Sequence, residues 1–160
     1  MCKHCFSSLE TKTPMFFITS FRKAKMIFLL EINYRLSHIA TIVLNGGADD
    51  HMPYFFQLKC QNCDELSKRP CIYMNDSEYN GRDTVNHVIK YEGCKKYGTV
   101  TLIPGYGRPF TAEYSASGAC APLMLFECDE MTPEGYEFNG SWKLATVSSS
   151  SNFITSYSTN

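Results

Sequence analysis

The chain has 160 residues, of which 44% are hydrophobic and 19% charged, with a net charge of −1. That is the make-up of one folded domain with a core, not of a disordered chain. It leaves no basic footprint for nucleic acid and no acidic tail. The longest apolar run, Met26-Ile27-Phe28-Leu29-Leu30, is far too short to span a bilayer.

Residues 1–25 hold few acidic residues and no clear period. They lack an apolar h-region, and Phe16-Phe17-Ile18 precedes Arg22, Lys23 and Lys25, the reverse of signal-peptide order. This segment reads as a leader, disordered or non-native to the domain. The eight cysteines are then expected to be reduced thiols of a cytoplasmic protein, not a disulfide framework. Asn75-Asp76-Ser77 and Asn139-Gly140-Ser141 match the glycosylation pattern, which carries no weight in that compartment.

From Met26 onward the sequence is strand-like. Residues 27–34 and 41–44 are rich in β-branched and large apolar side chains. A loop is expected at 45–50, then a strand over 54–60. Residues 71–74 and 85–90 read as two strands of a hairpin, turning through Asn80-Gly81-Arg82-Asp83. Further strands are expected at 98–103 and 123–128, broken by the turn-rich segment 104–109. A polar tail, 148–160, is expected to be loose. No segment sustains a period of 3.6, so the fold is expected to be all-β. One internal echo is present: an aromatic strand ends in Leu58-Lys59-Cys60, and another ends in Phe126-Glu127-Cys128. Two similar lobes about a shared centre would account for it.

The chemistry-bearing feature is Cys60-Gln61-Asn62-Cys63, answered downstream by a lone Cys94. A CxxC knuckle can turn two thiolates onto one soft cation such as Zn²⁺, and a structural site closes with a second pair. Here the second knuckle reads Tyr91-Glu92-Gly93-Cys94, with tyrosine in the place of the third cysteine. Cys60, Cys63 and Cys94 are therefore the candidate metal ligands. Four groups compete for the fourth position. Tyr91 could serve only as a phenolate. His87 lies four residues upstream on a strand, roughly 13 Å away at ~3.3 Å per residue. Cys71 would lie across from Tyr91 if the expected hairpin forms, although a small buried residue is its expected role. Water is the last. A redox role for Cys60 and Cys63 is disfavoured, because Pro70 leaves little room for the helix that depresses such a thiol pKa.

Cys2-Lys3-His4-Cys5 has the same spacing but lies in the leader, and the spacing is read as accidental. Cys120 and Cys128 sit among apolar residues and read as core thiols. Arg108 reads as an ordinary loop arginine. No phosphate loop, nucleophile elbow or His-x-x-x-His pattern is present, and no catalytic residue is assigned.

Four blocks in order resemble one known family. They are Phe56-Gln57-Leu58-Lys59-Cys60-Gln61-Asn62-Cys63, Asn86-His87-Val88-Ile89-Lys90, Gly98-Thr99-Val100-Thr101-Leu102-Ile103-Pro104-Gly105 and Ala121-Pro122-Leu123-Met124-Leu125-Phe126-Glu127-Cys128. Together they resemble the eukaryotic CXXC-motif-containing zinc-binding proteins over roughly residues 26–142. The resemblance implies a mostly β, two-lobed fold, one Zn²⁺ held by two CxxC knuckles, and no established enzymatic activity. This sequence departs from the family at Tyr91, in residues 1–25 and beyond Trp142.

The resulting expectation is an all-β, two-lobed antiparallel β-sandwich or β-tent with a zinc-knuckle site over residues 26–147. It would be a monomer that binds zinc and a protein partner, without nucleic acid, membrane or catalysis. The alternative is a metal-handling or thiol-exchange protein with an incomplete, transferable three-cysteine site.

Overall fold

Strand β4 (Tyr54–Cys60) alternates without a break. Tyr54, Phe56, Leu58 and Cys60 are buried, and Phe55, Gln57 and Lys59 turn outward, the period-2 pattern of a strand with one face on a core. The computed structural model describes residues 3–8, 25–37, 39–43, 52–137, 141–146 and 155–158. Around β4 these residues form β1 (Lys3–Ser8), β2 (Met26–Asn33), β3 (Ile39–Val43), β5 (Cys71–Ile72), β6 (Glu78–Tyr79), β7 (Thr84–Val85) and β8 (His87–Lys90). The chain continues through β9 (Tyr97–Ile103), β10 (Phe110–Thr111), a short helix α1 (Ala112–Ser117), β11 (Ala121–Asp129), β12 (Met131–Glu137), β13 (Ser141–Thr146) and β14 (Thr155–Ser158).

The strands make a five-stranded sheet β1-β2-β11-β9-β8, a four-stranded sheet β10-β3-β13-β14, a three-stranded sheet β12-β4-β5 and the ribbon β6-β7. All pairings are antiparallel. The all-β expectation holds. Central strand β11 is buried almost throughout and carries a register shift between Pro122 and Met124. Its Phe126 packs on Phe56 of β4, with ring centroids 4.7 Å apart, and on Phe28 of β2 at 5.7 Å. The two strands of the internal echo thus meet ring to ring and join the five- and three-stranded sheets. Glu130, in the left-handed region at φ 59, turns the chain from β11 into β12, and its carbonyl accepts from Gln61 N at 3.1 Å.

The hairpin expected between 71–74 and 85–90 does not form. β5 pairs with β4, placing Cys71 opposite Phe55, and β8 pairs with β9. The Asn80–Asp83 turn closes only the two-residue ladder β6–β7. The reason lies in Asn86, which is buried. Its Nδ2 donates to the carbonyls of Tyr73, Met74 and Asp76, and its Oδ1 accepts from Leu102 N at 2.7 Å. That network takes up the backbone of residues 73–76, which the hairpin would have needed.

Within the leader, Lys3–Ser8 pairs with β2, Cys5 standing opposite Glu31. Within the tail, Thr155–Ser158 pairs with β13. Cys2, the loop at 45–50 and Asn139 lie outside the described residues. Among the described residues no helix is long and apolar enough to cross a membrane.

Phe126 is fully buried between two sheets. Phe126→Ala should cost about 3–5 kcal/mol, read as a lower urea midpoint at unchanged slope.

Candidate metal centre

The inward phase of β4 ends at Cys60, which is 1% exposed, so this thiol leaves the core facing the loop that follows. That loop folds tightly. Cys60 N donates to Glu65 O at 2.9 Å, and Asp64 N donates to Cys60 O at 3.1 Å. Asp64 takes a left-handed φ of 59. Asn62 N points at Cys60 Sγ, 3.4 Å away.

The loop after β8 repeats this geometry. Tyr91 N donates to Lys96 O at 2.9 Å, and Lys95 takes a left-handed φ of 60. Backbone position 91 therefore corresponds to 60, and 94 to 63. The tyrosine stands where the first cysteine of a second knuckle would stand.

The two loops bring three sulfurs together. The thiols of Cys60, Cys63 and Cys94 all lie within 4.8 Å of one another, and Cys60 Sγ is 3.7 Å from Cys94 Sγ. A tetrahedral ion with bonds of ~2.3 Å places its sulfurs roughly 3.8 Å apart. The Cys60–Cys94 pair fits that spacing, and the three cysteines are free thiols. Among the described His, Cys, Asp and Glu side chains this is the group whose ligand atoms converge, and neither His87 nor Cys71 belongs to it.

Each rival for the fourth position is engaged elsewhere. Tyr91 is 1% exposed and belongs to the hydrophobic core. Burial, then the nearby Cys60 and Cys128, hold its phenol well above the ordinary range, so it is neutral. Its hydroxyl finds no hydrogen-bond partner among the described residues. His87 Nδ1 is 2.7 Å from Glu78 Oε1. Cys71 sits on the β4–β5 ladder. Cys128 is a core thiol, pushed up by burial. Cys120 is half-buried beside Asn33. Arg108 curls back onto the carbonyls of Gly105 and Gly107.

A residue that spacing did not single out joins the loops. Glu65 Oε2 accepts from Gly93 N at 2.7 Å, Oε1 accepts from Glu92 N at 3.3 Å, and the carboxylate reaches within 4.0 Å of Cys63 Sγ. A Cβ at Gly93 would stand 3.0 Å from Glu65 Oε2, so glycine permits the approach. Glycine two positions after Tyr91 was the one trace of this in the sequence.

Without metal, the cluster divides its protons unevenly. At Cys94 a backbone hydrogen bond at Lys96 leads, helped by the Cys63 and Cys60 thiols, and the thiol is lowered. At Cys63 a backbone hydrogen bond at Glu65 favours the thiolate. Desolvation and the neighbouring Cys94 and Cys60 outweigh it, and the thiol is pushed up to about 11.

Antiparallel β-sheets whose loops converge on a thiol cluster define a small β protein with a site able to hold a metal ion. The chain belongs to the family described as CXXC motif containing zinc binding protein, eukaryotic, whose family model matches residues 29–155. The crystal structure of C1orf123 superposes with a TM-score of 0.65 at 23% identity, covering 82% of this chain and 80% of that one. A hypothetical protein from Plasmodium falciparum superposes at 0.61 with 14% identity, covering 81% and 79%. At such identities the likeness is one of fold alone. No curated protein matches the chain significantly.

Tyr91→Phe removes a buried hydroxyl that has no partner. Stability should stay level or rise by about 0.5–1.5 kcal/mol, and zinc stoichiometry should not change. A loss of zinc in this variant, measured by metal analysis, would make the phenol a ligand after all.

Proposed function

We propose that Cys60, Cys63 and Cys94 hold one Zn²⁺, which clips the loop after β4 to the loop after β8, and that the clipped domain works by binding another protein. The observation that carries this reading is the pair of loops with matching backbone geometry whose sulfurs meet at tetrahedral spacing. The soft donor set favours Zn²⁺ over hard cations, and membership of a zinc-binding family agrees. Zinc supplies a cross-link between two parts of the chain far apart in sequence. Protein groups prepare it: Asn62 N faces the Cys60 sulfur, and Glu65 ties both loops together.

Catalysis is not assigned. Water would complete the coordination, but His87 is held by Glu78 and the Glu65 carboxylate is taken up by the amides of Glu92 and Gly93. The free thiols among the described residues suit a reducing, cytoplasmic setting.

One observation favours a second reading. Cys63 is exposed and the cluster holds three thiols, so the ion would be open to exchange. The protein would then pass zinc to an acceptor rather than keep it. Zinc-to-protein ratio tests the first reading, and the rate of zinc transfer to a chromophoric chelator separates the two. A retained, slowly released ion supports the structural clip; rapid quantitative transfer supports the carrier.

Cys94→Ser should abolish stoichiometric zinc and lower the melting temperature of the zinc-loaded protein, because the ion binds the folded state. An unchanged zinc ratio would remove Cys94 from the site. The raised Cys63 thiol is protonated at neutral pH in the metal-free protein. Zinc must displace that proton, so affinity should climb with pH across the neutral range. Calorimetry in buffers of different ionisation enthalpy should show proton release.

A further inference from the structure

β8 is an edge strand of the five-stranded sheet. Tyr91 N bonds to Lys96 O in the same register that pairs His87 with Val100 and Ile89 with Gly98. Alternation therefore turns His87, Ile89 and Tyr91 toward β9, and turns the amides of Val88, Lys90 and Glu92 outward. Two of these three are capped by carboxylates. Val88 N donates to Glu78 Oε2 at 3.0 Å, and Glu92 N donates to Glu65 Oε1 at 3.3 Å. Between the two caps, Lys90 presents an outward N–H and C=O with no partner among the described residues.

A cleft of about 480 Å³ runs along this edge, walled on one side by residues 65–70 and on the other by 87–92. Most charges in it are already paired. Arg69 meets Glu137, His87 meets Glu78, and Glu92 meets Lys95. The Glu65 carboxylate faces the amides of Glu92 and Gly93. Lys68 and Lys90 remain, both exposed, and neither has an ion-pair partner among the described residues. Lys90 lies over the Tyr97 ring, 5.9 Å from its centroid. Leu66, half exposed at 50%, adds an apolar contact on the opposite wall.

We propose that this edge is a docking site for an extended acidic peptide segment of a partner protein. The peptide adds as a strand to β8 and exchanges backbone hydrogen bonds with Lys90. Its carboxylates pair with Lys68 and Lys90, and an apolar residue between them rests on Leu66. The occupant is acidic because, among the described residues of the cleft, Lys68 and Lys90 are the charged groups left without a salt bridge or hydrogen bond, whereas the Glu65 carboxylate is already satisfied by two amides. It is extended because the unpaired backbone is one outward-facing strand position flanked by two satisfied ones. The site does not depend on the metal reading, since none of its contacts is made by a thiol.

The test uses the full chain as purified and a short fluorescein-labelled peptide of alternating glutamate and valine, with a lysine–valine peptide as control. Anisotropy should saturate with the acidic peptide, weaken with added salt, and not saturate with the basic one. Lys90→Pro removes the outward N–H and the ammonium together, without touching the ladder to β9, and should weaken binding roughly tenfold and by more than Lys90→Ala, which removes the ammonium alone. Lys68→Glu and Lys90→Glu should each weaken it and flatten the salt dependence. If Lys90→Pro fails to fold, the two charge reversals carry the decision. The proposal is overturned if the acidic peptide does not bind, if both peptides bind alike, or if binding survives these substitutions. Sedimentation that shows a dimer abolished by Lys90→Glu would also overturn it, giving the edge to a second copy of the chain.

Discussion

Tyr54, Phe56, Leu58 and Cys60 leave β4 on one side, so the hydrophobic core and the first thiol of the cluster share a single register. A slip of one residue would turn all four outward together. Phe56 resists that slip by packing on Phe126 and on Tyr136, and β12 holds it by pairing Met131 with Cys60. The thiol is thus aimed by the same contacts that join the two sheets. Its direction is set by packing, before any ion is bound.

The parts of the fold that were legible in the sequence are those governed by local alternation. β4 was read with its exact ends because each inward residue is large and apolar and the strand stops at a knuckle. β2 is legible for the same reason, and β9 and β11 as apolar runs bounded by turns. Strand pairing was not. Residues 71–74 look like a hairpin partner for 85–90, but nothing in their own composition reveals that Asn86 claims their carbonyls. Strand β12 is hard to read from its residues, because proline and glycine are disfavoured inside strands; the structure accommodates Pro133 and Gly135 at a register shift between them. Helix α1 was missed because it is short. Its signals are a cap at Thr111, whose hydroxyl accepts from Tyr114 N, and a left-handed Gly118, which mark ends but not a periodic middle.

The candidate site was legible as far as spacing carries. Cys60, Cys63 and Cys94 were identified from the knuckles, and the structure brings them together. Glu65 was not, because a carboxylate that satisfies two backbone amides across a loop pair leaves no spacing rule behind. Carboxylates take the same part at Val88 through Glu78. In both places a side chain does the work of a missing neighbour strand, one way proteins blunt an exposed edge.

Tyr91 has an evolutionary consequence. Its ring fills part of the core while its backbone keeps the shape of a metal-binding loop. A sequence with cysteine at this position would gain a ligand but lose the ring that the core has closed around. The reverse exchange would gain packing and lose the ligand. Neither direction is neutral by itself, because each single change trades one source of stability for another, and the new residue enters surroundings shaped for the old one. Drift at position 91 should carry compensating changes among the residues that pack around it.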